Sequence, residues 1–545
     1  MRSYPKWLSD AVFYEIYPQS FYDTNGDGIG DLPGITEKLD YIKSLGCNAI
    51  WLNPCFDSPF KDAGYDVRDF RKIAPRYGTN EDAYRLFEEA HKRGMYVLLD
   101  LVAGHSSEEH EWFQKSSQPY VNEYTDRYIW TDYCFDNGDG LPYVAGESGR
   151  SATYLINFYK CQPALNYGFL HPQKPWQQPV TAEGPRATVQ ALKDIMRFWL
   201  DHGCDGFRVD MASSLVKFDD EEKSGTGAIW QEIRKEMDED YPNAVLLSEW
   251  NEPGQALKYG FHMDFCLNGV GNCYSYLTRD YWNGAAAYIE NNRTRQKEGY
   301  CRGMLEDAMW DGSIEDHTYF RKDVSSDITR FTNVYREKYE ESREYGFWCL
   351  VTCNHDTQRM SWKLSDDELK IAYAMIFTMP GVPFLYYGDE IGMKYLDVPT
   401  KEGGYYRTGS RTPMQWNKGK NLGFSDADAS ELYLPVDASE DAPDVESQQK
   451  DPDSLLNLVK KIVEFRRSHK ELHAEAPFEI LYADAENPVF VYKRSDFVIA
   501  VNPKAQRCEA PVSVNGEIVF KIGNAAAEPD RLVVEPQSFV VFRTA

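Results

Sequence analysis

Three carboxylates stand where short strand-like runs end, and their types suit chemistry at a glycosidic bond. The run Gly206–Val209 ends in Asp210, Ala244–Leu247 leads through Ser248 to Glu249, and Trp348–Val351 leads through Asn354 and His355 to Asp356. A fourth run, Tyr96–Val102, carries Asp100 and leads to His105. Acidic groups gathered at one end of a sheet repel one another, which a purely structural core has no use for. Glycosyl chemistry uses that arrangement: one carboxylate attacks the anomeric carbon while another, held protonated, donates to the leaving oxygen. Arg208 lies two residues before Asp210, on the same side of an extended chain, where its charge would favour an ionised neighbour. Taken singly, each Asp also reads as a helix N-cap, and Arg208 as half of a structural ion pair.

The elements that must position these groups alternate in type. Runs rich in β-branched and aromatic residues occur at Ala11–Tyr17, Ala49–Leu52, Tyr96–Val102, Gly206–Val209, Ala244–Leu247, Trp348–Val351 and Pro383–Tyr387. Helical patterns lie between them at Ile35–Leu45, Asn80–Arg93, Thr188–His202, Ser365–Thr378 and Leu455–His469. Strands alternating with helices imply a parallel sheet. About eight such units predict an α/β fold with a closed (β/α)8 TIM barrel, whose chemistry sits at the C-terminal strand ends. The predicted layout is barrel over 1–104, an inserted domain over 105–180 after the third strand, barrel again over 181–470, and a C-terminal β-sandwich over 471–545. The acidic stretch Asp426–Asp451 reads as a solvated surface loop.

A second motif is oxygen-rich. Asp23, Asn25, Asp27, Ile29 and Asp31 occupy alternate positions, with Gly28 at the sixth place of the loop. This matches the first half of an EF-hand loop, although Gly34 stands where the bidentate Glu belongs; a polar turn has the same composition.

Bulk properties narrow the partners. Across 545 residues, 42% are hydrophobic and 14% aromatic, enough for two or three packed domains. A formal net charge of −27 disfavours nucleic acid and anionic membrane surfaces, and leaves a neutral sugar unaffected. The 11 cysteines lack C-x-x-C pairs, and the start MRSYPKWLSD has no apolar segment of the signal-peptide kind. A cytoplasmic protein is expected, with no organic cofactor and no membrane span.

The ordered motifs DLVAGH (100–105), QPALN (162–166), GFRVD (206–210), LSEW (247–250) and CNHD (353–356) resemble those of the α-amylase family, glycoside hydrolase family 13. YEIYPQSF (14–21), GYDV (64–67) and RTPMQW (411–416) resemble its oligosaccharide α-glucosidase branch. The resemblance implies a retaining enzyme with Asp210 as nucleophile, Glu249 as general acid/base and Asp356 holding sugar hydroxyls. Tyr65 would stack on the sugar, and Asp66, His105 and His355 would bond its hydroxyls. Arg208 would sit beside the nucleophile, with Arg359 and Arg411 lining the pocket. Asp23, Asn25, Asp27, Ile29 and Asp31 would bind a structural Ca2+, for which Mg2+ is an alternative. Gly104 replaces the family's usual Asn, Ala164 its usual Asp, and Met211 fits neither residue type associated with a linkage preference. The expected substrates are short α-linked gluco-oligosaccharides. Alternatives are a glucosyltransferase or isomerase, an endo-acting amylase or neopullulanase, and a non-catalytic transporter-associated relative.

Overall fold

The computed structural model describes residues 4–267, 272–280, 315–396, 398, 401 and 407–544. Eight parallel strands form the central sheet: β1 (Phe13–Ile16), β2 (Ala49–Leu52), β3 (Tyr96–Val102), β4 (Gly206–Asp210), β5 (Val245–Ser248), β6 (Met263–Cys266), β7 (Phe347–Leu350) and β8 (Phe384–Tyr386). Their order is β7-β6-β5-β4-β3-β2-β1-β8, and a parallel bridge between Val351 and Phe384 closes the ends into a barrel. The short strands are buried throughout, as helices on the outer face require. Inside, the rings of Phe13, Trp51, Phe265 and Phe384 pack at centroid separations from 4.5 to 6.3 Å. That layer plugs the barrel and supports His355, whose ring lies 5.8 Å from Trp51.

Local chemistry explains the helix boundaries. Thr79 and Asp82 form a reciprocal capping box on the helix Asn80–Lys92, and Ser454 caps Leu455–Ser468. The expected single helix over Ile35–Leu45 is two, Leu32–Glu37 and Leu39–Ser44, because the backbone turns aside at Lys38 (φ −95°, ψ 4°). The helix placed at Thr188 begins earlier, at Glu183. The acidic stretch Asp426–Asp451 is only partly a solvated loop: Asp444 is buried and caps a helix over Val445–Lys450.

Between β3 and the helix Glu183–Asp201 lie a short helix, Glu111–Ser116, and a small antiparallel ribbon, Tyr143–Val144 with Tyr154–Leu155. His105 and Ala164 form a bridge that ties this segment to the end of β3. At the C-terminus, a five-stranded antiparallel sheet (Phe478–Tyr482, Phe490–Arg494, Phe497–Asn502, Ser538–Thr544, Gly516–Ile522) faces a three-stranded one (Cys508–Ala510, Leu532–Val534, Ala525–Ala527). Val491, Ala500, Val540, Leu532 and Val534 fill the space between them, a β-sandwich core. No helix among the described residues is long and apolar enough to cross a membrane.

Candidate active site

The register of β3, β4 and β5 assembles the centre. Asp100 pairs with Arg208, Val102 with Asp210, and Val209 with Ser248, so that Glu249 follows directly beside the end of β4. The buried Arg208 guanidinium donates from Nη1 to Asp100 at 2.8 Å and to Asp210 at 3.1 Å, while Nη2 lies 2.7 Å from Glu249. One cation thus serves three carboxylates. Burial, then the nearby Glu249 charge, pushes the Asp210 carboxyl well above its ordinary range, although Arg208 pulls it down. Asp210 and Glu249 are within hydrogen-bonding reach of each other. Asp210 therefore holds a proton more readily than a free aspartate does.

Asp356 is held differently. Arg411 Nη2 donates to it at 2.7 Å and Arg407 Nη1 at 3.0 Å. Burial opposes its charge; the nearest basic ring, His355, is itself kept neutral by burial, so the arginines keep Asp356 well below the usual carboxylate range. His355 contacts Glu15 through Nδ1 at 2.9 Å and the Tyr65 hydroxyl through Nε2 at 2.5 Å. Tyr65 OH also donates to Asp100 at 3.3 Å, which joins the Asp356 side to the Arg208 side. Burial pushes His105 down to about 3, a neutral ring. Its Nε2 donates to the Tyr65 carbonyl, and its Nδ1 accepts from Asn157. A side chain at Gly104 would meet that Asn157 amide at 2.8 Å, so the glycine makes room for the partner of His105.

The residues expected from sequence are brought together with two exceptions. Asp66 is fully buried and accepts from Ser58 Oγ and from the amides of Lys61 and Asp62, so its oxygens shape the loop that leads to Tyr65. Asp62, in the same loop, is tied to the centre through Arg407: it accepts from Gln162 Nε2 at 2.8 Å and Arg407 Nη2 at 3.2 Å. Arg359 does not line the pocket. It is fully buried and donates to Asp389 and to the carbonyls of Tyr387 and Ser410, a strut beneath the Asp356 loop. Asp62 could have been found from its place three residues before Tyr65; Arg407 lies in a stretch with no periodic pattern to mark it.

In the oxygen-rich loop, Asp23, Asn25 and Asp27 each accept from the amide two residues on, and Asp31 caps the helix Leu32–Glu37. Gly26 and Gly28 take positive φ (76° and 85°), which winds the chain tightly. These groups are hard oxygens of the kind calcium takes, but among the described residues no three acidic, His or Cys side chains converge as a metal site, and both Asp31 oxygens accept hydrogen bonds from Thr24 and Gly34.

An alpha-amylase catalytic-domain model matches residues 15–475. The trehalose synthase/amylase TreS of Mycolicibacterium smegmatis is 33% identical over 493 residues, covering 85% of this chain and 76% of that protein. The oligo-1,6-glucosidase of Heyndrickxia coagulans is 31% identical over 557 residues, covering 90% of each. Among solved structures, an inactive double mutant of MutB in complex with isomaltulose superposes with a TM-score of 0.78 at 24% identity, over 100% of both chains. The chain belongs to the alpha-amylase family of retaining glycoside hydrolases and transglycosylases.

Proposed function

We propose that the protein is a retaining α-glucosidase acting on the terminal glucose of short α-linked gluco-oligosaccharides. The observation that carries this reading is the bridge from Asp62 through Arg407 to Asp356. In this reading the bridge closes the site beside the carboxylate assigned to the sugar hydroxyls, so that one end sugar is accepted and a continuing chain is not.

In this reading Asp210 attacks the anomeric carbon as a carboxylate, and Glu249 gives its proton to the leaving oxygen. The sugar enters between the two carboxyls, toward the separation of about 5–5.5 Å that retention uses. The ionised Glu249 then takes a proton from water, which opens the covalent glucosyl-enzyme with the α configuration kept. Arg208 balances the charge throughout. Asp356, held ionised by Arg407 and Arg411, binds hydroxyls, and Tyr65 offers an apolar face to the ring.

A second reading is transfer of the glucosyl unit to a sugar, or its intramolecular return, favoured by the similarity to TreS. A product time course on maltose, isomaltose, sucrose and trehalose tests both. Glucose release from the outset supports hydrolysis; a rearranged disaccharide in excess of glucose overturns it.

The wound loop is read as a structural calcium site held by Asp23, Asn25, Asp27, the Ile29 carbonyl and Asp31; magnesium fits the same oxygens less well because it demands a stricter geometry. A chelator should lower the melting temperature, and added calcium should restore it, with no such response in Asp23→Ala. The ten described cysteines are all free, which supports a reducing, cytoplasmic location.

A further inference from the structure

We propose that Asp264 is a positioning residue for Glu249, gripping the general acid's loop from behind the sheet. The inference rests on the acid/base role proposed for Glu249. Asp264 lies on β6 in register with Ser248 of β5, so their side chains share one face of the sheet. Glu249, the next residue, points to the opposite face, into the catalytic centre.

The contacts are specific. Asp264 Oδ1 accepts from Ser248 Oγ at 2.7 Å, from the Trp250 amide at 3.1 Å and from the Asn251 amide at 3.3 Å. One oxygen therefore holds the residue before Glu249 and the two after it. Asn251 adopts a positive φ of 61°, a conformation that a non-glycine residue keeps only when its surroundings impose it. Its side chain extends the hold: Oδ1 accepts from the Leu267 amide at 3.1 Å, and Nδ2 donates to Asn272 at 3.0 Å. The turn that carries Glu249 is thus hooked to the end of β6 at several points, and Asp264 is the acidic one.

The carboxyl is fully buried, and Oδ2 has no hydrogen-bond partner among the described residues. An ion there without a cation is costly, and a neutral acid is not. Burial pushes Asp264 up to about 7, against the pull of its three donors. The grip does not depend on that ionisation. A proton would reside on the unpartnered Oδ2, and Oδ1 would accept from the same three groups. What the site needs is an acceptor at Oδ1, which Asn also supplies and Ala does not.

That distinction gives the test. The ratio kcat/KM reports the first step alone, in which Glu249 protonates the leaving group. A sugar leaving group needs that proton, and fluoride needs far less of it. In Asp264→Ala, kcat/KM on maltose or isomaltose should fall by about tenfold or more, a fraction of what a general acid is worth. On α-glucosyl fluoride it should change by less than about twofold. Asp264→Asn should retain near wild-type values on both. Equal losses on the two substrates, no loss in Asp264→Ala, or an Asn variant as impaired as Ala would each overturn the proposal. Ser248→Ala, which removes one donor from the same contact, should show the same selectivity on a smaller scale and serves where Asp264→Ala does not fold. Glu249→Gln is the control: if it shows no leaving-group selectivity, the acid/base role of Glu249 fails and not the hold of Asp264.

Discussion

The Met211 amide donates to Glu249 Oε2 at 3.2 Å, linking the residue after Asp210 to the second carboxylate of the pair. Met211 makes that contact from the left-handed region, at φ 42° and ψ 45°. Strain of this kind is common where a backbone group is aimed at a reacting centre.

Substitution at Met211 should follow backbone strain. Val, branched at Cβ, tolerates this conformation poorly, and Met211→Val should lose about 1–2 kcal/mol of stability together with activity. Met211→Gly, free of the steric penalty, should melt above Met211→Val and keep the turn. Thermal melts and kcat on one disaccharide give the order; Val melting above Gly would contradict it.

The pocket wall gives a second expectation. Arg407→Ala removes the bridge between Asp62 and Asp356 and opens the site beyond the terminal sugar. KM on disaccharides should rise about tenfold, roughly 1.4 kcal/mol of lost binding. On a linear maltoheptaose the wild type should release glucose only, whereas the variant should also release longer fragments. An unchanged product pattern would mean that Arg407 does not bound the pocket.

Acid stability should depend on His110. Its Nδ1 accepts from the Trp112 amide and caps the helix Glu111–Ser116, a role open only to the neutral ring. Burial pushes its pKa down from 6.5 to about 4. The unfolded chain therefore binds this proton more readily than the folded one. The contribution is complete above pH 6.5 and is lost as the pH falls toward 4, roughly 3 kcal/mol in all. His110→Asn keeps a capping acceptor without titrating. Its melting temperature should fall less steeply between pH 6.5 and 4 than that of the wild type; parallel profiles would refute the assignment.

Much of this architecture is legible in the sequence because it is local. Seven of the barrel strands stand out as apolar runs, and the carboxylates at their ends can be read directly. The eighth, Met263–Cys266, is missed because Asp264 interrupts its apolar pattern, and that acidic residue is the one that grips the Glu249 turn. Asp66 and Arg359 look like pocket residues from their motifs, yet both are fully buried and bonded to the loops around them, Asp66 to Ser58, Lys61 and Asp62, Arg359 to Asp389, Tyr387 and Ser410. Arg407 meets Asp62 across 345 positions of chain, and no spacing rule can anticipate such a pairing. Helix ends shifted for a related reason: Lys38 bends the chain within an unbroken amphipathic pattern.

The central claim is that Asp210 forms the bond to glucose. A fluorinated glucosyl fluoride, which slows opening of the intermediate, should inactivate the enzyme and add one fluoroglucosyl mass to the peptide that contains Asp210. A label on Glu249 or Asp356 instead, or inactivation with no covalent label, would contradict the account.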